Sequence, residues 1–106
     1  MDTKLIIIET TTDDKEMANK LSHLLIKEKL AGCVQVNQIN SYYEYDDKIN
    51  NTVEYLIRIK TLSNYYEDVK EFLSKEHNFE LPEFISYECK EVSKDYLDWI
   101  VKNLNK

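Results

Sequence analysis

The chain's hydrophobic pattern predicts a small α+β fold, an antiparallel sheet with one long hairpin and helices packed on it. Apolar and polar residues alternate over 53–60 and again over 85–90, as half-buried strands require. Over 17–25, 66–73 and 97–104 the apolar residues instead recur every three or four positions, the period of an amphipathic helix. The order along the chain is strand, helix, strand, strand, helix, strand and a final helix.

Leu5-Ile6-Ile7-Ile8 is apolar without alternation, which fits a strand covered on both faces and central in the sheet. Asp13 followed by Glu16 reads as a capping-box start, and Met17, Leu21, Leu24 and Leu25 stripe a helix expected to reach about Lys29. Val34 and Val36 share one strand parity, whereas Ile39, Tyr43 and Tyr45 share the other. A β-bulge at Asn37-Gln38 is the expected cause of that phase slip. Asp46-Asp47 marks a turn, and Val53, Tyr55, Ile57 and Ile59 then alternate with Glu54, Arg58 and Lys60, so the two strands read as a long antiparallel hairpin. Asn64 with Glu67 is the expected cap of a helix striped by Tyr66, Val69, Phe72 and Leu73, which the stretch from Asn78 to Pro82 ends. Ile85, Tyr87 and Cys89 form the last strand, and Ser93 caps a terminal helix carrying Leu97, Ile100, Val101 and Leu104.

This order predicts a ferredoxin-like split βαβ sheet, βαββαβ plus a C-terminal helix, with strands arranged four-one-three-two and two helices on one face. The long hairpin would leave strand edges open in a monomer, so assembly through those edges is expected. At 106 residues and 42% hydrophobic content the chain suits one domain, 1–106, with one core. A net charge of −6 and a pI near 4.9 argue against nucleic acid and against an anionic membrane surface as partners. The apolar run at 5–8 is too short for an export leader or a membrane span, which points to the cytoplasm. One glycine excludes a glycine-rich phosphate loop, and two distant cysteines suit reduced thiols.

Several blocks carry a resemblance. Lys27-Glu28-Lys29-Leu30-Ala31-Gly32-Cys33-Val34 is similar to the CutA segment that runs through Leu-Ala-Ala-Cys into the second strand. Tyr43-Glu44-Tyr45-Asp46-Asp47-Lys48-Ile49 is similar to that family's Tyr-x-Trp-x-Gly-Lys hairpin, and Ile59-Lys60-Thr61 to its Ile/Leu-Lys-Thr. His77-Asn78-Phe79-Glu80-Leu81-Pro82-Glu83 and Tyr96-Leu97-Asp98-Trp99 match two further blocks. They stand in the family's order over nearly the whole chain, which therefore resembles the CutA divalent-cation-tolerance family. Departures are Tyr45 for the tryptophan, Asp47 for the hairpin glycine and Asn78 for a proline, together with a shorter stretch lacking Pro-Gly after Cys33.

The resemblance implies a homotrimer, linked to copper and other divalent-cation tolerance and similar in architecture to the trimeric nitrogen-regulatory signal proteins. It places a copper-implicated histidine at His77, with Glu76 where some relatives carry a second histidine and Glu9 where some carry a cysteine. A divalent ion, Cu or Zn, held by His77, Glu76 and Glu9 is the resulting expectation, and the strand order brings the three positions to one edge. Taken from the residues alone, His77 reads first as a loop or helix-end histidine satisfied by a backbone carbonyl, and only the resemblance brings the ligand reading level with it. Cys33 and Cys89 read as small buried hydrophobes, and His23 as a solvated side chain. Tyr43, Tyr45, Lys48, Lys60, Glu83, Tyr96 and Trp99 are retained from the family blocks. In a trimer they would line clefts between subunits that suit a small anionic or zwitterionic ligand, or else serve interface packing, which eight tyrosines favour.

The expected function is thus a trimeric, divalent-cation-tolerance protein that binds a metal ion or small ligand in signalling or homeostasis; the alternative is a structural trimeric scaffold or anchoring protein. Catalysis is not expected. An acylphosphatase-like site needs an arginine in an anion-cradling loop, whereas Arg58 lies within a strand, and no Ser-His-Asp set has a believable context. An RNA-recognition sheet needs aromatics on its central strands and a basic face, whereas 5–8 has no aromatic and the chain is acidic. The strand order also carries a prediction. Cys33 and Cys89 fall on opposite outer strands, about 14 Å apart at ~4.8 Å per strand, beyond the roughly 7 Å Cα separation that a disulfide spans. Thiol counting in denatured, unreduced protein should find both free, and a bridged pair within one chain would contradict the order.

Overall fold

The apolar run at 5–8 opens β1 (Leu5–Thr12), whose side chains are buried on both faces of a four-stranded sheet in the computed structural model. Residues 3–104 are described, so the outermost ends of the expected 1–106 domain lie outside the described residues. β1 pairs antiparallel with β3 (Lys48–Leu62) on one side and β4 (Ile85–Glu88) on the other, while β2 (Cys33–Tyr45) pairs with β3. The order β2-β3-β1-β4 is the predicted one read from the opposite edge.

Each face has its own cluster. Ile6 and Ile8 of β1 with Ile57 and Ile59 of β3 meet Ala18, Leu21 and Leu25 of α1 (Lys15–Lys27) and Val69 and Leu73 of α2 (Tyr66–Glu76). Each fully buried Leu or Ile there contributes roughly 1.5–3 kcal/mol. On the other face Leu5 and Leu62 meet Ile100 and Leu104 of α3 (Lys94–Leu104), with Cys33 and Cys89 packed at the margin as free thiols. Gly32 makes that second contact close: a Cβ there would lie 2.7 Å from Ile100 Cδ1 and 3.3 Å from Ile100 Cα. The chain's one glycine is therefore a place of helix approach.

The helix ends show where local chemistry departs from the sequence expectations. α1 is capped by Asp14, not Asp13; the Asp14 carboxylate accepts from the N–H groups of Glu16 at 2.9 Å and Met17 at 3.4 Å. Asp13 instead accepts from the Asn78 amide at 3.2 Å. Asn64 does not cap α2, because a short 3-10 turn (Ser63–Tyr65) leads into the helix and puts Tyr65 at its N-cap, where the side chain makes no capping bond. Glu67 and Asp68 still oppose the positive end of its dipole. Ser93 caps α3 as expected, accepting from Tyr96 N–H at 3.3 Å.

The hairpin turns through Asp46 and Asp47, both left-handed at φ 55° and 60°, between the paired residues Tyr45 and Lys48. That is the two-residue turn whose twist matches its strands. The expected bulge is absent, since the register runs one to one from Cys33↔Lys60 to Tyr45↔Lys48. The slip is a change of face. Val34 and Val36 lie opposite Ile59 and Ile57 on the side of α1 and α2, whereas Ile39, Tyr43 and Tyr45 share the other face. Most of β2 is exposed, so no buried layer forces one parity along its whole length.

α1 ends in a Schellman turn: Leu30 N–H donates to Leu25 O at 3.0 Å and Lys29 N–H to Ile26 O at 3.1 Å. The motif puts Lys29 at φ 61°, where a Cβ is unfavourable. Lys29→Gly should therefore stabilise the fold by about 1 kcal/mol, read as a higher urea midpoint at unchanged slope. A midpoint at or below that of the parent chain would contradict the left-handed assignment.

Candidate ion and ligand sites

His77 follows the last turn of α2, its N–H donating to Leu73 O at 2.9 Å. Its ring is held on both sides. Phe79 N–H donates to Nδ1 at 3.0 Å, so Nδ1 is the acceptor and Nε2 carries the proton that it donates to Thr11 O at 2.8 Å. Asn78 completes the clamp by accepting from Thr12 Oγ1 at 2.9 Å. Burial of the ring lowers the His77 pKa below its ordinary value of 6.5, outweighing the Thr11 carbonyl and the Asp13 charge, which favour the imidazolium. Of the two readings of the sequence, this geometry has the histidine tied to backbone.

Glu76 lies 3.7 Å from Lys20 Nζ. Glu9, on the open face of the sheet, accepts from Tyr87 Oη at 2.8 Å and lies 3.4 Å from Arg58 Nε, while Arg58 Nη2 reaches Tyr87 Oη at 3.4 Å. Arg58 Nε has no aligned hydrogen bond, so its contact with Glu9 is Coulombic. His77, Glu76 and Glu9 thus each hold a partner of their own. Among the described residues no three His, Cys, Asp or Glu side chains are grouped as metal donors. Glu83 is shifted above the ordinary carboxylate value by partial burial, with the charges of Glu9 and Glu54 adding to the effect. Glu54 was not singled out from the sequence, although the alternation of β3 already puts it on the same face as Arg58 and Lys60.

The seven retained polar and aromatic residues do not gather in one chain. At the base of the hairpin Lys60 Nζ donates to Tyr96 Oη at 3.3 Å and lies 5.3 Å from the ring centroid, and Tyr96 stacks on Trp99 at 5.7 Å. Tyr43 and Tyr45 line a cavity beside Phe79 in the distal arm, and Lys48 sits at the turn. The run of β3 from Lys48 to Lys60 separates these groups by about 40 Å at ~3.4 Å per residue.

Residues 6–103 match the model of the CutA1 divalent ion tolerance proteins. This chain belongs to the CutA1 family. It is 30% identical to the divalent-cation tolerance protein CutA of Pyrococcus horikoshii, over 96% of this chain and 100% of that one. The solved CutA1 structure from that organism superposes with a TM-score of 0.90 at 30% identity, covering 95% of this chain and 99% of the other. CutA1 from Ehrlichia chaffeensis, at 22% identity, shares the fold over the full length of both chains with a TM-score of 0.94. The CutA1 assignment thus rests on sequence and backbone together.

The lowered His77 pKa gives a pH signature for this CutA1 chain. The unfolded state takes up a proton near pH 6.5 and the folded state resists it, so the His77 contribution is intact above that value and is lost as pH falls toward the folded pKa. Against a His77→Gln variant, the melting-temperature advantage of the parent should shrink between pH 7.5 and pH 5.5. A gap unchanged with pH would show that the imidazole is not held neutral.

Proposed function

We propose that this CutA1-family chain works as a cytoplasmic, non-catalytic homotrimer that supports divalent-cation tolerance by binding an ion, Cu or Zn, or a small ligand in a signalling or homeostasis role. The observation that carries the reading is the split of the retained residues between the two ends of a long hairpin. A neighbouring copy lying along the hairpin would bring one chain's tip beside another's base, making a cleft that a lone chain lacks. The surface is consistent with such packing: Ile85 is 51% exposed and Tyr87 42% on the sheet face that α3 leaves open, and among the described residues the outer edge of β2 has no partner strand. Threefold closure covers such edges without generating filaments. The βαββαβ order supports the ferredoxin-like split βαβ reading of the sheet, and the free cysteines suit a reducing compartment.

An ion at His77 must displace either the Phe79 amide from Nδ1 or the Thr11 carbonyl from the other nitrogen, so its affinity is modest; with Glu9 and Glu76 as the further donors, carboxylate and imidazole favour Cu(II) or Zn(II) over Cu(I). The same two bonds favour the second reading, a trimeric scaffold without specific metal binding. Light scattering at low micromolar concentration should return three times the 12.7 kDa chain mass, and a monomer mass would end the cleft proposal. Titration of Cu(II) and Zn(II) separates the two readings. The ion reading expects binding that His77→Ala loses and Cys33→Ala keeps, weakening only once pH falls below the ordinary imidazole value. If His77→Ala binds as the parent does, the scaffold reading stands for this site.

A further inference from the structure

On the side of the sheet opposite its open face, a groove of about 530 Å³ lies between α1 and α2, bounded by Leu24 and Glu28 at the end of α1 and by Asp68, Phe72 and Glu76 along α2. None of its lining residues belongs to the hairpin, β4 or α3, the parts through which the proposed trimer packs, so the assembly leaves it in solvent. The two helices run antiparallel here. Glu28, closing α1, lines the groove with Asp68 of the first turn of α2, whereas Lys20, one to two turns from the start of α1, lies 3.7 Å from Glu76 at the last residue of α2. From Lys20 to Glu28 and from Asp68 to Glu76, each wall is about 12 Å long at ~1.5 Å per residue.

The groove has an apolar floor and an acidic rim. Leu24 and Phe72 are half-buried, whereas Glu28, Asp68 and Glu71 are exposed. Lys75 Nζ lies 3.0 Å from Glu71 and Lys20 takes Glu76, so among the described residues Glu28 and Asp68 have no ion-pair partner. Four carboxylates against one lysine on the rim, in a chain of net charge −6, repel a phosphate backbone or an anionic lipid surface and draw in a cationic partner. Two antiparallel helices present a furrow into which the ridge of a third packs at about 8–10 Å between axes. We propose that this groove receives a basic amphipathic helix of a partner protein, with an apolar side chain seated between Leu24 and Phe72 and Lys or Arg side chains one turn away meeting Glu28 and Asp68. The apolar contact supplies affinity, and the two unpaired carboxylates select the charge and orient the helix.

The probe is a fluorescent peptide of about 14 residues with leucine at helical spacing and lysine and alanine elsewhere. Titrated with the full chain, its anisotropy should rise. Two control peptides, one with glutamate for every lysine and one with alanine for every leucine, should bind at least about tenfold more weakly, since each removes one half of the recognition. The double variant Glu28→Gln with Asp68→Asn should weaken binding by about threefold or more, and Leu24→Gln by about fivefold or more. Leu24 belongs to neither hydrophobic cluster and Glu28 and Asp68 are exposed, and circular dichroism verifies that each variant is folded. Glu91→Gln with Asp95→Asn removes the same charge from an exposed stretch at the start of α3 and should leave the affinity unchanged. His77 and Glu76 stay intact in every variant, so failure here leaves the ion reading untouched. No rise in anisotropy, equal binding of either control peptide, equal loss in the two charge-neutralised variants, or unaltered binding by both folded groove variants would each overturn the proposal. So would calorimetric uptake of Ca(II) that the Glu28 and Asp68 variant loses, without binding of the peptide.

Discussion

Everything in this molecule is arranged around β1, a strand buried along nearly its whole length, hydrogen-bonded to β3 on one side and β4 on the other, with a hydrophobic cluster above and below. Ile6 and Ile8 project toward α1 and α2, while Leu5 projects toward α3, so a single apolar run serves two clusters by strand parity alone. A polar residue at Ile8 would enter a site with no exposed surface among apolar side chains. The same strand also reaches the loop after α2, since the Thr11 carbonyl accepts from His77 and the Thr12 hydroxyl donates to Asn78.

The two faces of the sheet are covered unequally. One carries α1 and α2, whose apolar stripes close over Ile57 and Ile59. The other carries only α3 at one end, where the absence of a side chain at Gly32 lets Ile100 approach. Past α3 the open face holds Arg58, Glu9 and Tyr87 flanked by apolar side chains, a mixed surface of the sort found at contacts between subunits. The hairpin then runs on beyond both helical layers, along the molecule's 46 Å long axis, and supplies the arm on which the tyrosines sit. Its register holds without a bulge because the backbone ladder is continuous and the side chains there are free to face solvent on either side.

How far a sequence can be read is visible in individual residues. The strand and helix order, the turn at Asp46-Asp47, the cap at Ser93 and the stripes of all three helices are local features of period and propensity, and each was legible. Strand order was legible too, because few connections of a βαββαβ chain are both short and right-handed. The cap of α1 was missed by one position, since Asp13 and Asp14 are equivalent by type and only the packing of Asn78 against Asp13 assigns their roles. The bulge was inferred from parity on the assumption of one buried face throughout, which the exposed hairpin does not have.

Site residues divide in the same way. The sequence by itself determined which residue types were available, namely two histidines, one arginine, an acidic surplus and eight tyrosines, and in what order the blocks shared with the CutA1 family occur. The tertiary structure decided which of them meet. It tied both ring nitrogens of His77 to backbone, drew Glu9 to Arg58 and Tyr87 across three strands, and placed Lys60 and Tyr96 far from Tyr43 and Tyr45. The physical reason is that, the Phe79–His77 bond aside, these encounters join residues from 29 to 78 positions apart, whereas the pattern a sequence displays is set by neighbours three or four apart. Only chain closure into the sheet brings such distant side chains within bonding distance.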